Sequence, residues 1–353
     1  MTYCFSPILL GKISERFRFS RKKGVFFGVL GISVSQIIFY FSLEPIPFLI
    51  SRVLEGFMAG LVWTNLQSTI SDNAEHNHSK YMAIYNFSWN LGALLGFLVG
   101  AIMLFFLGDL LIIFYFSPFL LFINIFVILF FFEESAKIKN LNCENETEER
   151  KMVGIINQSK QDIKTLSRYY IPSMIPVLFM VAFSIVRVCV LFTYPLKSEI
   201  LGFEAYTAYL LSFLCLITQT FSITFASYLP LKHLKKVSII CVLISSIIVF
   251  FLGLNTNYVM FVILILLLGF FNGFLYSLGL KLFLYLNIQR ETSKYSSICE
   301  SAIGFTFLVA PIFAAFLTAA YDDIDLCFYA FSVILFLILI LNVIFIRKMR
   351  SSY

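Results

Sequence analysis

Charge is scarce in this sequence. Only 13% of its 353 residues are Asp, Glu, Lys or Arg, where a soluble domain carries about a quarter. The seven cysteines include no CxxC pair and lie mostly in apolar runs, where cysteine behaves as a small hydrophobe. Neither a disulfide framework nor a metal site is expected from them, and His76 and His78 in one short polar loop do not suggest a metal. No glycine–lysine phosphate loop and no nucleophile elbow is present, which removes direct ATP-driven transport and serine hydrolysis as first readings. No nucleophile–base set converges either. An enzyme is therefore not expected, nor a cofactor, nor a nucleic-acid partner. A cleavable signal is not expected either, because the first basic cluster follows an apolar stub instead of preceding it.

What the chain has instead is apolar bulk: 60% hydrophobic residues, 43 phenylalanines and a mean hydropathy of +0.90. Runs long enough to span a bilayer fall at roughly 24–42, 45–69, 81–106, 110–132, 169–193, 205–228, 237–254, 257–286, 296–320 and 326–346. Each must be helical, since lipid cannot satisfy unpaired backbone N–H and C=O groups. The expected fold is an all-α, multi-pass membrane protein of about ten complete transmembrane helices, with a partial helix at the N-terminus.

The few charges are sorted by side. The polar stretches 11–23, 71–80, 133–168, 229–236, 287–295 and 347–353 alternate to one face and hold 22 of the 26 Lys and Arg. The opposite loops hold Lys197 as their sole base, beside Glu44, Asp109, Glu199, Glu204, Asp322, Asp323 and Asp325. The positive-inside bias puts the first set, including the 133–168 segment and the C-terminus, in the cytoplasm of a cell-membrane protein. Three bases remain inside spans: Arg52, Arg187 and Lys281.

Segment 133–168 is the one long polar stretch, and it divides the chain. An incomplete N-terminal bundle is expected over 1–132, a cytoplasmic linker over 133–168 and a six-helix C-terminal bundle over 169–353. An internal repeat supports the division. At an offset of about 213, "RKKGVFFGVL" at 21–30 falls on "LKKVSIICVL" at 234–243, and "EGFMAG" at 55–60 falls on "LGFFNG" at 268–273. Parallel repeats of this kind are a transporter architecture.

The ordered motifs resemble the major facilitator superfamily of secondary transporters over essentially the whole chain. "GKISERFRFSRKKG" at 11–24 is similar to that family's loop between its second and third helices, with Gly11, Glu15, Arg16, Arg21, Lys22 and Lys23 in the signature places. Glu15 stands where Asp is usual, and extra residues separate Arg16 from the basic run. "SRVLEGFMAG" at 51–60 resembles the fourth-helix signature, with Glu55 in the glutamine place. "NLGALLGFLVGAI" at 90–102 resembles the glycine-rich fifth helix, and "FFEES" at 131–135 the acidic end of the sixth.

The resemblance implies a two-bundle fold and a secondary active transporter of a small molecule, with the 11–24 loop latching the two halves. It also implies that residues 1–10 are the end of a second helix, so that Met1 is an internal methionine taken for the start, or the gene is truncated. A transport-inactive remnant or sensor-like scaffold is the alternative to a transporter. A monomer with protons and the lipid bilayer as its further partners is expected.

Individual residues carry the chemistry. Arg52 and Glu55 share a helix face at membrane depth, where charges pair and face the bundle interior. They form either a helix-orienting salt bridge or, as the resemblance implies, part of a coupling or substrate site. Arg187 sits at a similar depth in the other half. The two guanidiniums could hold a carboxylate or phosphate across a central cavity, or Arg187 could snorkel to the headgroups. Glu300 in "SSICESAIG" is a proton-carrier candidate, or an acid satisfying a helix N-terminus. Asn86, Trp89, Asn90, Gln219 and Asn272 are candidate cavity lining, with interhelical hydrogen bonding as the alternative for the amides. Gly92, Gly96 and Gly100 form a ladder expected to let helices approach closely.

Overall fold

The computed structural model describes residues 2–16, 20–42, 44–73, 78–107, 111–132, 172–229, 233–289 and 294–347. The linker expected over 133–168 lies outside them. Almost all described residues are helical. A 3-10 turn at Thr2–Cys4 leads into α1 (Ser6–Arg16), followed by α2 (Arg21–Tyr40), α3 (Pro45–Asn73), α4 (His78–Leu107) and α5 (Leu111–Phe131). After the linker come α6 (Met174–Val188), a π-helical turn at Cys189–Thr193, α7 (Tyr194–Ile200), α8 (Tyr206–Ser227), α9 (Leu234–Leu254), α10 (Tyr258–Gln289), α11 (Lys294–Tyr321) and α12 (Asp325–Arg347).

Among the described residues nine helices are long and apolar enough to cross a membrane, α6 and α7 counting as one continuous span over Met174–Ile200. The tenth expected run, 110–132, is occupied by the 21-residue α5, of which Ser117–Phe131 counts as a shorter apolar helix. Two boundaries differ from expectation. The stretch 11–23, read as a loop, is helical up to Arg16 and again from Arg21. The span expected to end at 193 runs on to Ile200, because the π turn carries the helix forward without breaking it.

Two bundles result. In the first, α2 packs on α3 and α5 around Val25, Val29, Val62, Ile125 and Ile128. In the second, α6 packs on α10 and α11, and α9 on α12, around a larger core with Phe179, Phe183, Phe261, Phe283, Phe328 and Phe331 fully buried. The bundles meet where α4 lies along α8 and where α1 lies against α11. The outward faces carry exposed phenylalanine and isoleucine, the surface a hydrocarbon solvent requires.

The sequence repeat corresponds to a repeated packing. Gly56 and Gly60 of α3 press against Thr2, Tyr3, Ser6 and Pro7, and Gly269 and Gly273 of α10 press against Cys215, Thr218, Gln219 and Ser222 of α8. Two of the three rungs of the α4 glycine ladder do not pack in this way. A Cβ added at Gly92 or Gly96 would meet nothing within 4 Å, since both are exposed; the third, Gly100, is buried. Glycine spacing permits close approach but supplies no partner.

Ammonium groups, two of them buried, close several helix ends. Lys22 donates to the Leu129 carbonyl at 2.8 Å near the end of α5, and Lys281 to Ser227 O and Leu229 O at 3.0 and 2.9 Å at the end of α8. Lys197, expected in a loop, is instead buried in α7. Its Nζ donates to Leu252 O at 2.9 Å and Gly253 O at 2.6 Å and pairs with Asp325 Oδ1 at 2.7 Å. Lys197→Met would orphan two buried carbonyls. Asp325 is about a third exposed, so its share is screened. The expected loss is about 2 kcal/mol, read as a lower melting temperature of the detergent-solubilised protein; an unchanged melting temperature would contradict this role.

Candidate functional site

The face of α3 that carries Arg52 repeats at helical spacing through Glu55, Gly56, Ala59 and Trp63, and all five border one cavity of about 390 Å³. Tyr3 closes it from the turn before α1, Tyr85 and Trp89 from α4. The second bundle supplies Phe183 and Arg187 of α6, Tyr276 of α10, and Glu300, Ile303 and Phe307 of α11. The cavity thus lies between the bundles. Arg52, Glu55, Arg187 and Glu300, scattered over nearly 250 positions of sequence, all face it.

Arg52 Nη1 lies 2.6 Å from Glu55 Oε2, while Gln36 Nε2 donates to Glu55 Oε1 at 3.1 Å. The guanidinium also sits over the rings of Phe39 and Phe48, 4.4 and 5.5 Å from their centroids. Arg187 follows another pattern. Its guanidinium lies 5.1 Å from the centroid of Trp89 and 5.8 Å from that of Phe183, and no carboxylate lies within ion-pair distance of it among the described residues. It turns into the cavity and does not snorkel. The π turn starts two residues later, at Cys189.

Glu300 is 5% exposed and accepts hydrogen bonds from the Tyr3 hydroxyl and from Gln67 Nε2, both contributed by the first bundle. Gln67 Nε2 lies 3.5 Å from the Tyr85 hydroxyl as well. The carboxylate is therefore a clasp between bundles. One helical turn nearer the start of α11, Gly11 of α1 packs directly on Ser297, and beyond the clasp Gly304 sits against the Tyr3 backbone. Glu15 and Arg16 fall in the last turn of α1, and their side chains lie outside the described residues. Arg21, Lys22 and Lys23 form the first turn of α2 behind the N-cap Ser20, whose hydroxyl accepts from Lys23 N at 3.4 Å.

Of the five residues expected to line the cavity, Trp89 does. Its ring is stacked on that of Tyr276 at 5.4 Å and 19°, one wall from each bundle. Asn86 and Asn90 lie one position round the helix and face α8. Asn86 Nδ2 donates to Ser227 Oγ at 3.4 Å, and Gln219 Nε2 to Asn90 Oδ1 at 2.8 Å. These amides join the bundles instead of facing the cavity, because an unpaired amide between apolar helices is costly. Gln219 and Asn272 border a second, small recess of about 10 Å³ on the far side of Arg187, and the Asn272 amide has no hydrogen-bond partner among the described residues. Sequence reasoning missed Tyr3, Trp63, Gln67, Tyr85 and Tyr276. The signal for Trp63 and Gln67 was present, since both continue the stripe from Glu55 in steps of four.

The family model described as Major Facilitator Superfamily matches residues 1–233 and 177–352. No curated protein matches the chain by sequence. Among solved structures, the crystal structure of the human organic anion transporter MFSD10 (TETRAN) superposes with a TM-score of 0.72, covering 97% of this chain and 80% of that one at 15% identity. A likeness at that identity is one of fold.

Proposed function

The chain belongs to the major facilitator superfamily, and on that premise we propose that it is a proton-coupled secondary transporter carrying a small molecule across the cell membrane by alternating access. The observation that carries the reading is the convergence of Arg52, Glu55, Arg187 and Glu300 on one cavity walled by both bundles. Ionisable groups at membrane depth mark substrate and proton paths.

Glu300 is the coupling acid in this reading. Ionised, it holds Tyr3 and Gln67 of the first bundle; protonated, it offers those donors a weaker acceptor, and the bundles part. Glu55, held between Arg52 and Gln36, is the second titratable group of the path. The end where Gly11 meets Ser297 is taken as cytoplasmic from its basic residues, with Gly11, Glu15, Arg16, Arg21, Lys22 and Lys23 as the gate. The bundles are assigned to 1–132 and 169–353, and the 133–168 linker and C-terminus to the cytoplasm. One chain supplies both walls of the cavity, which supports a monomeric transport unit. The test is uptake by proteoliposomes holding the full chain, screened over drugs, sugars and organic anions. Accumulation driven by an imposed pH gradient and abolished by a protonophore is expected; a chain that moves none of them under any gradient is not a transporter.

A further inference from the structure

Charge accounting within the cavity identifies the kind of molecule it accepts. Four charged side chains, two of each sign, line it, and three already have partners: Arg52 with Glu55, Glu55 also with Gln36, and Glu300 with Tyr3 and Gln67. Arg187 is the exception, a guanidinium with aromatic faces and no carboxylate at ion-pair distance among the described residues. A cation at this depth is costly without a counter-charge. The surrounding surface is aromatic, with the Trp89–Tyr276 stack formed by one ring from each bundle. At about 390 Å³ the space is at the small end of ligand pockets.

We propose that the cavity binds a monovalent organic anion with a flat aromatic body, its carboxylate on the Arg187 guanidinium and its ring against Trp89 and Tyr276. Among the described residues Arg187 lacks an ion pair, and a carboxylate supplies one; Glu300, the other charge without an ion pair, has both oxygens engaged by Tyr3 and Gln67. A dianion would bring a second charge with no cation left to receive it, because the Arg52 fork is engaged by Glu55. A cation would face Arg187 and find both Glu300 oxygens already taken by Tyr3 and Gln67. The inference rests on the transporter reading in one respect only, that this cavity is where the substrate sits. Arg187 is the binding residue, since its planar fork matches a carboxylate bidentately.

The chain contains two tryptophans, Trp63 and Trp89, and both line the cavity, so intrinsic fluorescence of the purified full-length protein reports occupancy directly. The probes are benzoate, benzamide, benzylamine and phthalate. Benzoate is expected to give a saturable change, with the other three at least about tenfold weaker, the scale of one lost charge-assisted contact. Arg187→Gln should weaken benzoate by about tenfold or more, Arg187→Lys by less, and Gly92→Ala, on the exposed face of α4 away from the cavity, by under about threefold. The wild-type series decides the charge preference even if a variant fails to fold. Benzylamine or benzamide binding as well as benzoate, benzoate indifferent to Arg187→Gln in a folded variant, or no benzoate response at all would each overturn the proposal. If pH-driven uptake of another solute survives such a result, the transporter reading stands and the substrate class falls; if uptake is also absent, both fall.

Discussion

Glu300→Gln should abolish pH-driven accumulation while leaving exchange of substrate between equal pools intact. Glutamine keeps the shape of the side chain and, like the protonated carboxyl, offers Tyr3 and Gln67 only a neutral acceptor, so the clasp stays at its weaker strength and the bundles still move. What it cannot do is release and regain a proton. If the carboxylate is the group through which proton and substrate communicate, the accumulation ratio should fall by at least about tenfold, within the 5–150-fold range of ordinary coupling free energies. Counterflow of labelled substrate, which needs no net proton movement, should stay within about threefold of wild type. The two assays separate coupling from passage. A Glu300→Gln protein that accumulates substrate like the wild type would assign coupling elsewhere, with Glu55 the remaining candidate in the cavity.

The second large effect is one of packing, at Gly273. A Cβ there would stand 2.6 Å from the Gln219 carbonyl and in direct collision with the Ser222 hydroxyl, so even alanine must push α10 away from α8. That helix pair also sets the α4–α8 seam, through Gln219 and Asn90. Gly273→Ala should cost about 1–3 kcal/mol, and Gly273→Val more, enough to remove most folded protein. Gly92→Ala, on the open face of α4, is the matched control. With no neighbour to strike, alanine there should be neutral or stabilising by up to about 1 kcal/mol. Thermal unfolding in one detergent measures both, and equal losses at the two positions would refute the packing account.

These two positions also show where the sequence was legible. Both glycines sit in suggestive patterns, and the repeat at an offset of about 213 takes in Gly92 as well as Gly273 without naming a contact for either. A ladder alone, as in α4, says that helices could approach and not whether they do. Charge placement was the strongest signal. A lone Arg or Glu in an apolar span costs so much that it must face protein or water, and Arg52, Glu55, Arg187 and Glu300 all do. Neutral amides carry a weaker version of that constraint. They are satisfied by any partner, and a helical face taken one residue too wide adds Asn86 and Asn90 of the seam to Trp89 and passes over Tyr85 of the cavity. The burial of Lys197 left no sequence signature, since it depends on what α9 and α12 place beside it.

The central claim is that one cavity between two bundles opens to each side of the membrane in turn. Cysteine introduced at Ala59, which lines that cavity, reports it in a chain whose own cysteines have been replaced. A membrane-impermeant thiol reagent should modify position 59 from either side, with the two rates shifting in opposite directions when substrate or the pH gradient is changed. Modification from one side alone, at a rate indifferent to both, would contradict the account.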